Sequence, residues 1–203
     1  MKTSDAVQCD GFPCLDTHRA CYFVPGIDLD PRRVSIVLIS EAAPQDPADG
    51  YYAGREALFA RTTVLAFQDA GAQVTSIQEI LNLGVYLTTA VKCGKAGSGL
   101  SAGTIRNCSQ LLEKEIDLFP NVKAFLLMGD VAIKAVNLIA KRSGEPPVIP
   151  AGSTYKIRGG EFHFRGARAF PSYVQAGPAF FVEKSKRRMI AEDISLALRI
   201  AGI

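Results

Sequence analysis

The chain lacks any run near the roughly eighteen apolar residues a membrane-spanning helix needs, and at 48% hydrophobic it is too apolar for a disordered segment. It also lacks a long Gly/Ser-rich or Pro-rich linker and shows no self-similarity at a period of about 20 to 50 residues. One domain over residues 1–203 is therefore expected, with no membrane partner and as a monomer. The N-terminal MKTSDAVQCD has neither the apolar core nor the small-residue cleavage site of a secretory signal, and five cysteines are an odd number. A disulfide framework is disfavoured and a reducing, cytoplasmic setting is expected. A net charge of +3 decides nothing about partners. At this length roughly 70% of the unfolded surface can be buried, so the cysteines are not needed as staples and call for another account.

What is present is an alternation of strand-like and helix-like segments. Residues 34–39 (VSIVLI), 85–91 (VYLTTAV) and 122–128 (VKAFLLM) are short, nearly continuous apolar runs rich in β-branched residues, and 167–170 is a weaker fourth. Such runs suit strands buried on both faces of a parallel sheet. Between them, residues 55–70 end at Gly71, as helices often do. Ile105, Cys108, Leu112, Ile116 and Phe119 recur at helical spacing, with Ser101 or Thr104 as cap and Pro120 as stop. Helices are also expected at 129–141 and 179–200. The segment TYKIRGGEFHF reads as a small hairpin turning at Gly159 and Gly160. The order implies a sheet covered on both sides, with the ligand site at the carboxyl ends of its strands.

Four loops meet there: SEAAPQDPADGYYAG from Ser40, KCGKAGSGLSAG from Lys92, MGDVA from Met128 and PSYVQAGP from Pro171. The first carries Glu41, Asp46 and Asp49 among prolines and small residues. Residues 1–30 have no periodicity and read as an irregular strap holding Cys9, Cys14 and Cys21. Cys93 and Cys108 bracket the glycine-rich loop, so a metal centre would tie strap to domain.

Several of these segments resemble the uracil-DNA glycosylase superfamily, in particular its branch carrying a 4Fe-4S cluster. Cys9, Cys14, Leu15 and Arg19, followed by Val24 to Gly26 (VPG), are similar to that branch's N-terminal cysteine motif. LISEAAPQD stands in place of its GEAPG-type loop, and YLTTAVKCGKAGSGLSAGTIRNC resembles its YITNVVKC block with a second Cys heading a helix. LLMGDVAIKAV and AFPSYV occupy the places of the LGRVAAQAL and HPSY segments. The resemblance implies a three-layer α/β/α sandwich around a four-stranded parallel sheet of order 2-1-3-4. It also implies DNA repair by hydrolysis of the N-glycosidic bond of uracil or another damaged base, flipped out of single- or double-stranded DNA.

It further implies a 4Fe-4S cluster on Cys9, Cys14, Cys93 and Cys108, with residues 1–30 as the cluster-binding strap. Cys21 could exchange for Cys9, and His18 could replace a ligand. Zinc is the alternative metal, since four thiolates suit it too, and an inert core thiol is the plain reading of Cys108 alone. The base pocket implied by the resemblance comprises Ala43, Pro44, Tyr52, Thr89 and Phe170, with Tyr52 as stacking platform. Thr89 stands where the family has a base-reading Asn, and Phe170 where it has a His that donates to the departing base. Both replacements weaken the expected chemistry and favour the alternative of a weak or inactive member acting as a nucleic-acid-binding protein. Glu41 or Asp46 is the expected catalytic carboxylate, the register of that loop leaving both open. Ser172, Tyr173, Lys184, Lys186, Arg187 and Arg188 are the expected DNA contacts, and Lys92 and Lys95 either extend the cationic strip or tune the cluster.

Overall fold

A computed structural model describes residues 2–203; Met1, the first residue of the expected strap, lies outside them. The sheet comprises β1 (Thr17–His18), β2 (Ile36–Ala43), β3 (Val85–Lys95), β4 (Ala124–Met128), β5 (Phe162–Phe164) and β6 (Ala167–Ser172), in the order β1-β3-β2-β4-β6-β5. The four expected strands are β2, β3, β4 and β6; they run parallel in the expected 2-1-3-4 order. The sheet is nevertheless mixed, because β1 adds antiparallel to β3 at one edge and β5 antiparallel to β6 at the other.

Side-chain alternation divides the sheet between two cores. Val37 and Ile39 of β2, Tyr86 of β3 and Phe125 of β4 face α4 (Ala102–Ile116) and α5 (Asp130–Arg142). Ile36 and Leu38, Leu87, and Leu126 face α2 (Leu58–Asp69), α3 (Ile77–Asn82) and α8 (Lys184–Ala201). Burial on both faces explains the continuous apolar runs. Ser101 is the N-cap of α4, accepting from the Thr104 N–H. Gly129 caps α5 at φ 101°, and a Cβ there would collide with Val174 and Glu41.

Three boundaries differ from expectation. The expected 179–200 helix breaks at Glu183, whose ψ of 69° is not helical; it leaves the single turn α7 (Ala179–Val182), which buries Phe180, ahead of α8. The hairpin turns at Arg165 and Gly166 (φ 52° and 79°), pairing Phe164 with Ala167, while Thr154–Ile157 is a helical turn. Two successive positive φ values match the twist of a two-residue hairpin, which Gly159 and Gly160 do not supply. The short α3, capped by Ser76, carries too few apolar residues for a periodic signal.

The strap is irregular, as expected, and is pinned at several points. β1 bridges it to Gly94 and Lys95, and the Phe23 N–H donates to the Lys92 carbonyl at 2.8 Å. The Asp16 carboxylate accepts from the Ser101 N–H at 2.5 Å and from the Thr104 hydroxyl, tying the strap to the first turn of α4.

Candidate base-binding site

At the carboxyl end of β3, strap and first loop enclose a crevice of about 200 Å³, small beside the ~300–1,000 Å³ of ordinary ligand clefts and matched to a single ring system. Ala43, Pro44, Tyr52 and Thr89 all line it, as the resemblance implies. Phe23 closes it from the strap side, its ring 5.9 Å from that of Tyr52 and 25° from parallel. The Tyr52 hydroxyl donates to the Leu87 carbonyl at 2.8 Å, fixing the ring, and burial holds the phenol well above its usual range and so neutral. Thr89 is nearly buried and its hydroxyl donates to the Val91 carbonyl at 2.9 Å. Its one proton is spent, so toward a ligand Thr89 Oγ1 can only accept. A wider groove of about 640 Å³ between α2 and α3, edged by Arg55 and Arg61, shares Tyr51 and Tyr52 with the crevice.

Phe170 is not part of this crevice. It lies in the core on β6 opposite Leu126, 3% exposed, with the Arg168 guanidinium over its ring at 5.2 Å. The pleat that places Leu126 toward α8 sends Phe170 to the same side. Among the described residues lining the crevice none carries a carboxylate, imidazole, ammonium or guanidinium. Glu41 sits on β2 beside it but reaches toward Gly129 and pairs with the Lys95 ammonium at 2.8 Å. Asp46 is exposed and accepts from the Ala48 N–H, capping the turn Pro47–Asp49.

The expected DNA contacts separate into two sets. Ser172 is wholly buried, its hydroxyl donating to Asp193 at 2.6 Å, so it does not face a phosphate. Arg187 is spent on Asp69 and stacks on Phe180. Lys184 and Arg188 are exposed, and Lys186 lies 5.4 Å from the centre of the half-buried Tyr173 ring while pairing with Glu183. Beside them Phe181 and Val182 are exposed apolar residues, which a short apolar run in the sequence does not distinguish from core.

Cys9 and Cys14 on the strap, Cys93 on β3 and Cys108 on α4 lie near enough to influence one another electrostatically. Burial first, then the neighbouring Cys108, Cys9 and Cys14, pushes the Cys93 thiol up to about 12, and burial with Cys14 and Cys9 pushes Cys108 up to about 11. Asn107 reaches Cys14 Sγ at 4.0 Å. Cys21 stands apart: it lines the crevice and donates to the Gln45 carbonyl at 3.0 Å. His18 is exposed on β1. Among the described residues no three His, Cys, Asp or Glu side chains are arranged to hold a metal ion.

Lys92 belongs to no surface strip. It is fully buried with Glu115, Thr88 and Tyr86, bonded to the Glu115 carboxylate, to the Thr88 hydroxyl at 2.8 Å and to the Thr89 carbonyl at 2.6 Å. A second buried network links the Ser40 and Tyr51 hydroxyls to Gln175 and Thr63, joining the loops after β2 and β6. A polar residue inside an apolar strand, as in LTTAVK, is the signal for the first; the partners of either become visible only in the fold.

A sheet with four parallel central strands, covered by helices on both faces and carrying an aromatic-walled crevice at their carboxyl edge, defines the class of α/β protein. The chain belongs to the uracil DNA glycosylase superfamily, whose family model matches residues 28–191. It is similar to the Type-5 uracil-DNA glycosylase of Thermus thermophilus, 27% identical over 122 residues that make up 59% of this chain and 52% of that protein. The chain spans about half the length of this curated relative. A crystal structure of the wild-type UNG from Nitratifractor salsuginis superposes with a TM-score of 0.41 at 13% identity, over 96% of this chain and 93% of that one.

Proposed function

We propose that the chain hydrolyses the N-glycosidic bond of uracil or another damaged base in DNA, taking the extruded base into the crevice beside Tyr52. The crevice itself carries the reading: a neutral aromatic wall to stack a base, and an acceptor-only Thr89 that suits an N–H on the base edge. Uracil, hypoxanthine and xanthine all present such an N–H. Water orientation is assigned to Glu41 rather than Asp46, since Asp46 is engaged as a cap and Glu41 is held on the strand by Lys95. With no charged or imidazole donor on the crevice wall, the departing base lacks one stabilising partner, a deficit of about 2.7–4 kcal/mol or a hundred- to a thousandfold in rate.

That same absence favours a second reading, a nucleic-acid-binding member that excises slowly or not at all. Single-turnover assays on single- and double-stranded oligonucleotides carrying uracil, hypoxanthine or xanthine separate the two. Release of any of these bases at enzyme excess supports the first; tight binding of the oligonucleotide with no release supports the second.

Cys9, Cys14, Cys93 and Cys108 are proposed as ligands of a 4Fe-4S cluster. Their nearness to one another from strap, strand and helix supports that group, four thiolates being its usual ligand set, and zinc is the alternative metal. When bound, the cluster supplies a covalent brace between strap and sheet. Iron and sulfide in equal amounts in brown, anaerobically purified protein would support it; colourless protein containing zinc would remove it.

A further inference from the structure

One residue connects both walls of the crevice to the helix that carries Cys108. The Lys92 ammonium donates to the Thr89 main-chain carbonyl at 2.6 Å, to the Thr88 hydroxyl at 2.8 Å and to the carboxylate of Glu115 on α4. The Lys92 carbonyl accepts from the N–H of Phe23, the opposite wall, at 2.8 Å. Glu115 is held in turn by the Tyr86 hydroxyl at 2.7 Å and by Thr88 at 2.9 Å and 3.0 Å. β1 flanks β3 only at Gly94 and Lys95 and does not reach Thr89, whose carbonyl accepts from the Lys92 ammonium. Stability alone does not call for such a pair: apolar side chains of similar volume often serve a core as well or better. An apolar pair here would fill the space between β3 and α4 but leave the Thr89 carbonyl without this donor.

We infer that Lys92 is a positioning residue for base recognition, its ammonium setting the pose of Thr89 against the base while Glu115 holds that ammonium in place. The inference rests on the base-pocket reading above, and the test separates the two. Equilibrium binding is measured to oligonucleotides carrying the non-hydrolysable 2′-fluoro analogues of deoxyuridine, deoxyinosine and deoxyxanthosine, each against the same strand with a tetrahydrofuran abasic analogue. The ratio reports base recognition apart from backbone affinity. In Lys92→Met/Glu115→Leu the preference is expected to fall by about tenfold to a hundredfold, with abasic affinity and circular dichroism unchanged. Lys92→Gln/Glu115→Gln, which keeps a donor for the Thr89 carbonyl, is expected to restore most of it. Should the Met/Leu pair fail to fold, Lys92→Met/Glu115→Gln against the Gln/Gln pair carries the comparison. Full preference in a folded Met variant, no recovery with Gln, or a loss falling equally on the abasic strand overturns the inference. A wild-type protein with no preference for any of the three bases overturns the pocket reading and this inference with it.

Discussion

Thr89 has given its single hydroxyl proton to the Val91 carbonyl, so in the proposed pocket it would meet a base edge as an acceptor. Thr89→Val keeps the shape and removes the acceptor; it is expected to weaken discrimination for a base with a facing N–H by about tenfold, measured as the ratio of binding to base-bearing and abasic strands. Tyr52 separates stacking from anchoring in the same way. Tyr52→Phe loses only the bond to Leu87 and is expected to bind within about threefold of wild type, whereas Tyr52→Ala loses the platform, about 1–3 kcal/mol of binding per base. Glu41 and Asp46 divide by their present partners. Glu41→Gln is expected to slow single-turnover excision by about a hundredfold and Asp46→Asn to leave it nearly unchanged; equal effects would return the assignment to open choice.

The strap and α4 behave as one unit through Asp16. Its carboxyl is held below the usual carboxylate range, first by the Thr104 hydroxyl and then by the Ser101 N–H. A depressed folded value means the stabilisation is complete above the unfolded value, about 3.9, and is lost as pH falls through the folded one. Asp16→Asn is therefore expected to lower the thermal midpoint at neutral pH and to flatten its decline in acid, as followed by melts across that range. At the other end of the chain, α8 offers fewer phosphate contacts than its run of cations promises, because Arg187 is bound to Asp69. Removing Lys184 or Arg188 is expected to reduce the slope of log affinity against log salt by about 0.7–0.9 each, while removing Arg187 costs stability instead.

For the whole molecule, the proposed cluster would act as the clasp between a strap that owns no core and a sheet that owns two. Chelation of its iron is expected to lower the thermal midpoint and expose the strap amides, including Phe23 N–H, to hydrogen exchange before the sheet opens.

The parallel strands and the helices over them were legible from the sequence, since a strand buried on both faces must be apolar at every position, as β2 and β4 are. So were Tyr52, Thr89, Ala43 and Pro44 as neighbours, because they occupy loops and strand ends that this topology brings to one edge. The roles of Phe170 and Ser172 were not: adjacent strand residues differ in which face they meet, and only the settled register sends both inward. Nor was Lys92, whose charge reads as surface until Glu115 arrives from a helix 23 residues away to share its burial. Periodicity along the chain determined the layers; which polar groups ended up facing one another was decided by packing between segments far apart in sequence, because a buried charge is tolerable only where the fold delivers its partner.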